Sequence, residues 1–294
     1  MTVAVAVRPH LSHSQHSTML RCPKCYELER IQHAPTIPAW WFLGGSCVHQ
    51  VSETYDRLRT SGTAVNMIPR DEVERYTREV LDALVAEELN QKQLTGFDGW
   101  FAAGRKPGKQ GYEWWTENAP LMVQNYLDWF DGNDWFIPTL LGRPAIEFEV
   151  DPLYGFGPFK GFIDRLFVLP NGDLVVADIK TGTNPPKEPL QLGDYANALQ
   201  IMGLPRPKWG TYVMVKHGEH TPLVPLDKYT TDYLEQVHGP VRKMIDQKLF
   251  PPNVGDFCRT CVVQKACYAY GGDQSQFYDP LHPNYRNPLS QLGE

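Results

Sequence analysis

The chain lacks any apolar run long enough to cross a bilayer, and its first 16 residues hold no sustained hydrophobic segment of the kind a secretory signal needs. Both absences predict a protein of the cytoplasm, without a membrane partner. Excess positive charge is missing as well. A formal net charge of -6 over 294 residues argues against non-specific coating of nucleic acid, although it is compatible with a local basic groove. No internal repeat is present. With 42% apolar and 21% charged residues, the composition is that of an ordinary globular protein, long enough for one large domain or two small ones.

Cysteine is scarce and unevenly placed. Of six, Cys22 and Cys25 flank Pro23-Lys24, while Cys258, Cys261 and Cys267 follow a C-x2-C-x5-C spacing near the other end. Cys47 lies in an apolar helical segment and reads as a core thiol. Inside a cell, close-set cysteines serve metal or redox chemistry more often than disulfides. Two ligand sets are open. Cys22 and Cys25 with Cys258 and Cys261 make two C-x2-C knuckles, a zinc pattern, whereas the three C-terminal cysteines with one N-terminal cysteine suit a [4Fe–4S] cluster. Either would tie the two ends of the chain together.

The strongest chemical signal is Gly161-Phe162-Ile163-Asp164-Arg165, followed after one hairpin by Ala177-Asp178-Ile179-Lys180-Thr181-Gly182. Leu169-Pro170-Asn171-Gly172-Asp173 suits a three-residue loop, with Pro170 at the first central position of a type I turn and Gly172 in the left-handed position. If Leu169 and Asp173 close that loop, Asp164 falls opposite Asp178. A two-residue Asn-Gly turn would put the acids on opposite faces. Paired carboxylates repel, so a fold that builds them into one spot has a cation to bind there. Lys180, two residues beyond Asp178, shares its strand face. Apolar residues on both faces of these segments predict a central strand pair covered on both sides.

Around this pair, helices are predicted over residues 20–33, 39–58 (broken near Gly44-Gly45), 71–93, 113–130, 189–202 and 230–248. Strands are predicted over 145–150 and 208–216. Residues 1–17 read as a flexible arm, 18–270 as a single domain and 271–294 as a polar tail. Trp114, Trp115, Leu121, Tyr126 and Trp129 form an aromatic and apolar stripe that reads mostly as core. Gln191 and Tyr195 lie one turn apart on one helix face.

These residues together resemble the PD-(D/E)XK nuclease superfamily in its RecB-like branch, over roughly residues 18–270. The cysteine layout is similar to that of the iron–sulfur nucleases of that branch, including the CRISPR-associated exonuclease family and its phage-encoded relatives. The resemblance implies an α/β restriction-endonuclease-like core, a central mixed β-sheet flanked by helices, with the termini joined by the cysteines. It implies Asp164, Asp178, His49 and the backbone carbonyl of Ile179 as ligands for Mg²⁺ or Mn²⁺, and Lys180 as the lysine near the attacked phosphate. Gln191 and Tyr195 would orient Lys180 and the DNA strand. Cys22, in its Cys-Pro step, would join Cys258, Cys261 and Cys267 around a [4Fe–4S] cluster. Asp178 stands where Glu is common, which the superfamily name already admits. The implied activity is a metal-dependent DNA exonuclease on single strands or duplex ends, in recombination, repair or phage DNA processing, in the host cytoplasm if phage-encoded. The alternative is a catalytically weak or inactive DNA-binding, recombination or spacer-capture partner.

Overall fold

Two segments dense in β-branched and aromatic residues build the centre of the molecule. In the computed structural model, which describes residues 10–105, 108–279 and 281, they are β2 (Gly161–Val168) and β3 (Leu174–Lys180), the inner strands of a six-stranded sheet. β1 (Ile146–Val150) flanks β2. On the other side come β4 (Trp209–Met214), then the short β5 (Glu219–His220) and β6 (Val224–Pro225), both paired with β4. β3 and β4 run parallel and the remaining pairs antiparallel, so the sheet is mixed. This is the expected α/β architecture. Phe167, Val175 and Ile179 face one hydrophobic layer and Leu166, Val176 and Tyr212 the other, as a sheet covered on both sides requires.

The hairpin closes as the loop residues predict. Leu169 N–H donates to the Asp173 carbonyl at 2.9 Å, Gly172 N–H donates to the Leu169 carbonyl at 2.9 Å, and Gly172 sits at φ +85°. The helices cover the two sheet faces. α1 (His13–Arg21), α5 (Leu190–Ile201) and α6 (Thr231–Asp246) lie on the Leu166 side; α2 (Trp40–Thr60), α3 (Arg70–Gln91) and α4 (Tyr112–Asp131) lie on the Phe167 side. On α2 the buried positions Trp40, Gly44, Cys47, Val48, Val51 and Tyr55 recur every three or four residues, which is the stripe a core-facing helix needs. Among the described residues, no helix is long and apolar enough to cross a membrane.

Four expectations differ from the structure. The arm expected up to residue 17 contains α1, which starts at His13 with the Ser12 hydroxyl accepting from Gln15 N–H at 3.2 Å; residues 1–9 of that arm lie outside the described residues. The break expected at Gly44-Gly45 is absent and α2 is continuous. Gly44 is there for space: a Cβ would meet the Trp115 indole at 2.1 Å. Leu121, placed in the core stripe, is exposed, whereas Trp115, Tyr126 and Trp129 are buried as expected. Within the tail, Ser275–Tyr278 forms one helical turn and Phe277 packs with Cys22, Cys25, Leu28, Val263 and Ala266 in a third, smaller core. Residues 282–294 lie outside the described residues.

The adjacent glycines of α2 provide an internal control. Gly44→Ala drives a methyl into a rigid buried ring and is expected to destabilise by about 1–3 kcal/mol. At Gly45 a Cβ would meet only the Thr181 hydroxyl, at 3.6 Å, so Gly45→Ala is expected to be neutral or to gain up to about 1 kcal/mol of helix propensity. Chemical denaturation of the two variants beside the parent checks this, and equal effects would contradict it.

Candidate metal centre

The β2–β3 register runs Val168↔Leu174, Phe167↔Val175, Leu166↔Val176 and Arg165↔Ala177, which sets Asp164 opposite Asp178 one step further out. The β1–β2 pairs Ile146↔Arg165 and Phe148↔Ile163 set Glu147 opposite Asp164 in the same way. Three carboxylates therefore lie in a row across three strands. Glu147 sits at φ +44°, left-handed backbone that costs a residue with a Cβ about 1–3 kcal/mol and persists only where its surroundings fix it.

From α2, one residue off the buried stripe, His49 reaches the same spot. Its Nε2 donates to the Ile179 carbonyl at 3.0 Å, and Nδ1 lies 3.5 Å from Asp164 Oδ2. Asp164 Oδ2 also accepts the Ile179 N–H at 2.7 Å. With Nε2 carrying the proton, Nδ1 presents a lone pair. Ligand atoms of His49, Glu147 and Asp164 all lie within 4.8 Å of one another. The electrostatics follow. Burial, then the charge of Asp164, pushes the Asp178 carboxyl up to about 6. Burial raises Asp164, and burial with the charge of Asp164 raises Glu147. Burial lowers His49 and keeps its imidazole neutral. Such crowded oxygen acceptors with one neutral imidazole fit a hard divalent cation, Mg²⁺ or Mn²⁺.

Lys180 closes one side. Its Nζ lies 2.5 Å from Asp178 Oδ2 and donates to Gln191 Oε1 at 3.3 Å, and Gln191 Nε2 donates to the Tyr195 hydroxyl at 3.1 Å. Gly161 makes room for this chain, since a Cβ there would meet the Tyr195 ring at 2.7 Å. The structure thus brings His49, Asp164, Asp178, the Ile179 carbonyl, Lys180, Gln191 and Tyr195 to one place.

Sequence reasoning missed Glu147, Asp56 and the role of Arg165 here. Glu147 was visible only as a polar position in the alternating strand 145–150, because its partner depends on a register that no turn residue reveals. Arg165 is fully buried beside these acids. Its Nε lies 2.5 Å from Asp56 Oδ2, and its Nη1 donates to the Asp164 carbonyl at 2.6 Å and reaches Glu147 Oε1 at 3.4 Å. The Tyr126 hydroxyl donates to Asp56 at 2.5 Å. This network fixes the backbone from which Asp164 and Glu147 project.

A second cluster of donor groups lies apart from the acids. Cys22, Cys25, Cys258, Cys261 and Cys267 line one small cavity between the segment 22–25 and the segment 252–270. Two of these sulfurs accept from backbone N–H groups, Cys22 from Asn253 at 3.4 Å and Cys258 from Gly255 at 3.5 Å. The neighbouring Cys25 thiol, then the Val263 amide, brings the Cys261 thiol down to about 6, whereas burial raises Cys267 against the pull of the Ala269 and Tyr270 amides. Cys25 instead lies 3.6 Å from the Cys261 sulfur and 3.8 Å from Arg21 NH2. Among the described residues, no three sulfurs lie within 4.8 Å of one another. Cys47 is elsewhere, a buried core thiol donating to the Thr77 carbonyl at 3.4 Å.

Comparison with known proteins agrees with this geometry. The family model of the PD-(D/E)XK nuclease superfamily matches residues 10–268. The Gene 69 protein of Mycobacterium phage L5 is 29% identical over 295 residues, covering 91% of this chain and 99% of that protein. The Gene 69 protein of Mycobacterium phage D29 is 31% identical over 272 residues, covering 88% and 96%. The chain belongs to the PD-(D/E)XK nuclease superfamily, which implies a metal-dependent nuclease with DNA as substrate.

The raised Asp178 pKa gives a signed expectation. Between its ordinary value of 3.8 and its folded value of about 6, the folded metal-free protein binds more protons than the unfolded chain. Its stability therefore falls as pH rises through that window and stays low above it. In metal-free buffer at pH 7, Asp178→Asn is expected to raise stability by up to about 3 kcal/mol. Mn²⁺ is expected to stabilise the parent and to lose most of that effect in the variant. Thermal melts with and without Mn²⁺ check both, and an undiminished Mn²⁺ shift in Asp178→Asn would contradict the reading.

Proposed function

We propose that this superfamily member is a divalent-metal-dependent deoxyribonuclease that degrades DNA from single strands or duplex ends, with a structural [4Fe–4S] cluster holding its termini together. The observation that carries the nuclease reading is the convergence of Glu147, Asp164, Asp178 and His49 beside Lys180. A bound Mg²⁺ or Mn²⁺ supplies Lewis acidity toward the phosphodiester and makes water a better nucleophile at neutral pH. The protein's own groups do the rest. Asp164, Asp178, Glu147, the Ile179 carbonyl and His49 provide the ligand set. Lys180, steered by Asp178 and Gln191, holds a cation where negative charge develops on the phosphate. Tyr195 and Gln191 fix the lysine and the adjoining strand.

The iron–sulfur reading is supported by the donor set. Zinc bound by thiolates at about 2.3 Å draws its sulfurs to about 3.8 Å from one another, closer than any three sulfurs stand here. A four-iron cluster needs wider spacing and an apolar pocket. Backbone N–H groups on Cys22 and Cys258, the lowered thiol of Cys261 and the amides that oppose the effect of burial at Cys267 favour these four as thiolate ligands, with Cys25 the fifth sulfur beside Cys261. The role is structural, since joining residues more than two hundred positions apart removes the most loop entropy from the unfolded chain. Two phage-encoded relatives support a setting in phage DNA recombination, repair or processing in the host cytoplasm.

One anaerobic preparation tests both parts. With Mn²⁺ or Mg²⁺ the parent is expected to degrade end-labelled DNA, and Glu147→Ala or Asp178→Ala to lower the rate by more than about a hundredfold while remaining folded. Parent-like degradation by either variant would refute the assignment, and salt-sensitive binding without cleavage would make the protein a DNA-binding module instead. The preparation is expected to be brown. Cys22→Ser should lose the colour and melt at lower temperature, while Cys25→Ser should keep it; the reverse pattern would exchange the two ligands.

A further inference from the structure

A groove of about 930 Å³ opens beside the metal centre, and Lys180, Gln191 and Tyr195 form one end of it. Its other walls come from α1, the first turn of α2, the start of β2 and the segment just after Cys258, so segments distant in sequence are gathered to make it. The charge of those walls is opposite to that of the chain. Against a net charge of -6 overall, the described residues lining the groove include Arg21, Arg30, Lys160 and Lys180 and one carboxylate, Glu29. Two of those cations are held loosely at the rim, Arg30 by Glu29 at 3.2 Å and Lys160 by Glu149 at 2.7 Å. Solvent screens surface pairs of this kind, so a phosphate can replace the carboxylate.

Two large, largely exposed rings stand in the same groove, Phe162 with Lys160 Nζ 5.4 Å from its centroid and Phe42 with the Trp41 ring 5.8 Å away. Phe42 is 58% exposed and Phe162 is 45% exposed. Single exposed apolar residues are common on any protein, but two inside one concave basic surface are not scatter. Phe162 is two residues before Asp164 on β2. By strand periodicity it points to the same face, about 7 Å from the metal ligands along the strand. The groove is also built in advance. Leu11 N–H donates to the Pro158 carbonyl and Lys160 N–H to the Leu11 carbonyl, both at 2.8 Å, and His13 Nδ1 pairs with Asp194 Oδ2 at 2.9 Å, which pins α1 to the helix carrying Tyr195.

We propose that this groove binds one strand of DNA, with bases stacked on Phe42 and Phe162 and phosphates along Arg21, Arg30 and Lys160, and that it thereby selects a single strand over a duplex. The proposal rests on the nuclease reading and deepens it by naming the form of the substrate and the residues that choose it. Basic grooves with interleaved aromatic rings bind single strands without sequence preference, because every base has a face to stack while the bases of a duplex are already stacked on each other. Phe162 seats a base beside the scissile phosphate, and Phe42 holds the strand further along.

The test uses the full chain carrying Asp178→Asn, with fluorescent oligo(dT) binding followed by anisotropy. Adding Phe42→Ala or Phe162→Ala is expected to weaken binding about 5- to 100-fold each. Phe42→Leu and Phe162→Leu, which keep the apolar bulk and lose the flat face, should also weaken it. Arg30→Ala and Lys160→Ala should each flatten the slope of log affinity against log salt by about 0.7. A blunt duplex of equal length should bind at least about tenfold more weakly than the single strand. Parent-like binding by the ring variants, or equal binding of duplex and single strand, would overturn the proposal. The nuclease reading is scored separately, by Mn²⁺-dependent cleavage of the same oligonucleotide with native Asp178. Cleavage with ring-independent binding sinks the groove alone, and ring-dependent binding without cleavage sinks the nuclease alone.

Discussion

Crowded negative charge is the constraint on which this fold turns. Glu147, Asp164 and Asp178 occupy neighbouring positions on three strands, and each is buried enough for its carboxyl to resist ionisation. Such a row is tolerable only if positive charge is supplied from outside it. The protein supplies part of that charge permanently. Lys180 stands beside Asp178, and Arg165, next in sequence to Asp164, is held by Asp56 and Glu147, with the Tyr126 hydroxyl donating to Asp56. What these cations leave uncovered is the point between Glu147, Asp164 and the lone pair of His49. A divalent ion belongs there.

The sequence shows why some of this was readable and some was not. Pro170 and Gly172 specify a three-residue loop, and that loop alone dictates that Asp164 and Asp178 face each other. Strand periodicity then places Lys180. Local chemistry reaches that far. Glu147 has no such signal, since its position depends on how β1 meets β2 and on a left-handed backbone that a Glu does not advertise. α1 was hidden for another reason. Its buried residues Gln15, His16 and Thr18 are polar, and it docks through hydrogen bonds (His13 to Asp194, the Tyr26 hydroxyl to Gln15) instead of an apolar stripe. Gly44-Gly45 misled in the opposite direction, because a helix-weakening residue was there to admit Trp115.

The segments that carry Cys22–Cys25 and Cys258–Cys267 meet at a cavity of their own, yet both regions shape the groove beside the acids. Ile37 N–H donates to the Val262 carbonyl at 2.8 Å, and the Asn253 side chain donates to the Arg21 carbonyl at 2.8 Å, so the segments that carry the cysteines are also stitched by backbone groups. Arg21 and Arg30 extend from the N-terminal part of that junction, and Thr260 and Val262 from the C-terminal part. Ordering the cysteine region therefore orders the wall along which DNA would run. A structural cluster and a catalytic cation, chemically unrelated, would then serve the same substrate.

The central claim is that the three carboxylates form one divalent-ion site. Its most direct measurement is anomalous diffraction from crystals soaked in Mn²⁺. The account predicts a single strong peak between Glu147, Asp164 and His49, with Asp178 beside it. No peak there at a large excess of Mn²⁺, or an equal peak in protein carrying Glu147→Gln, Asp164→Asn and Asp178→Asn together, would contradict it.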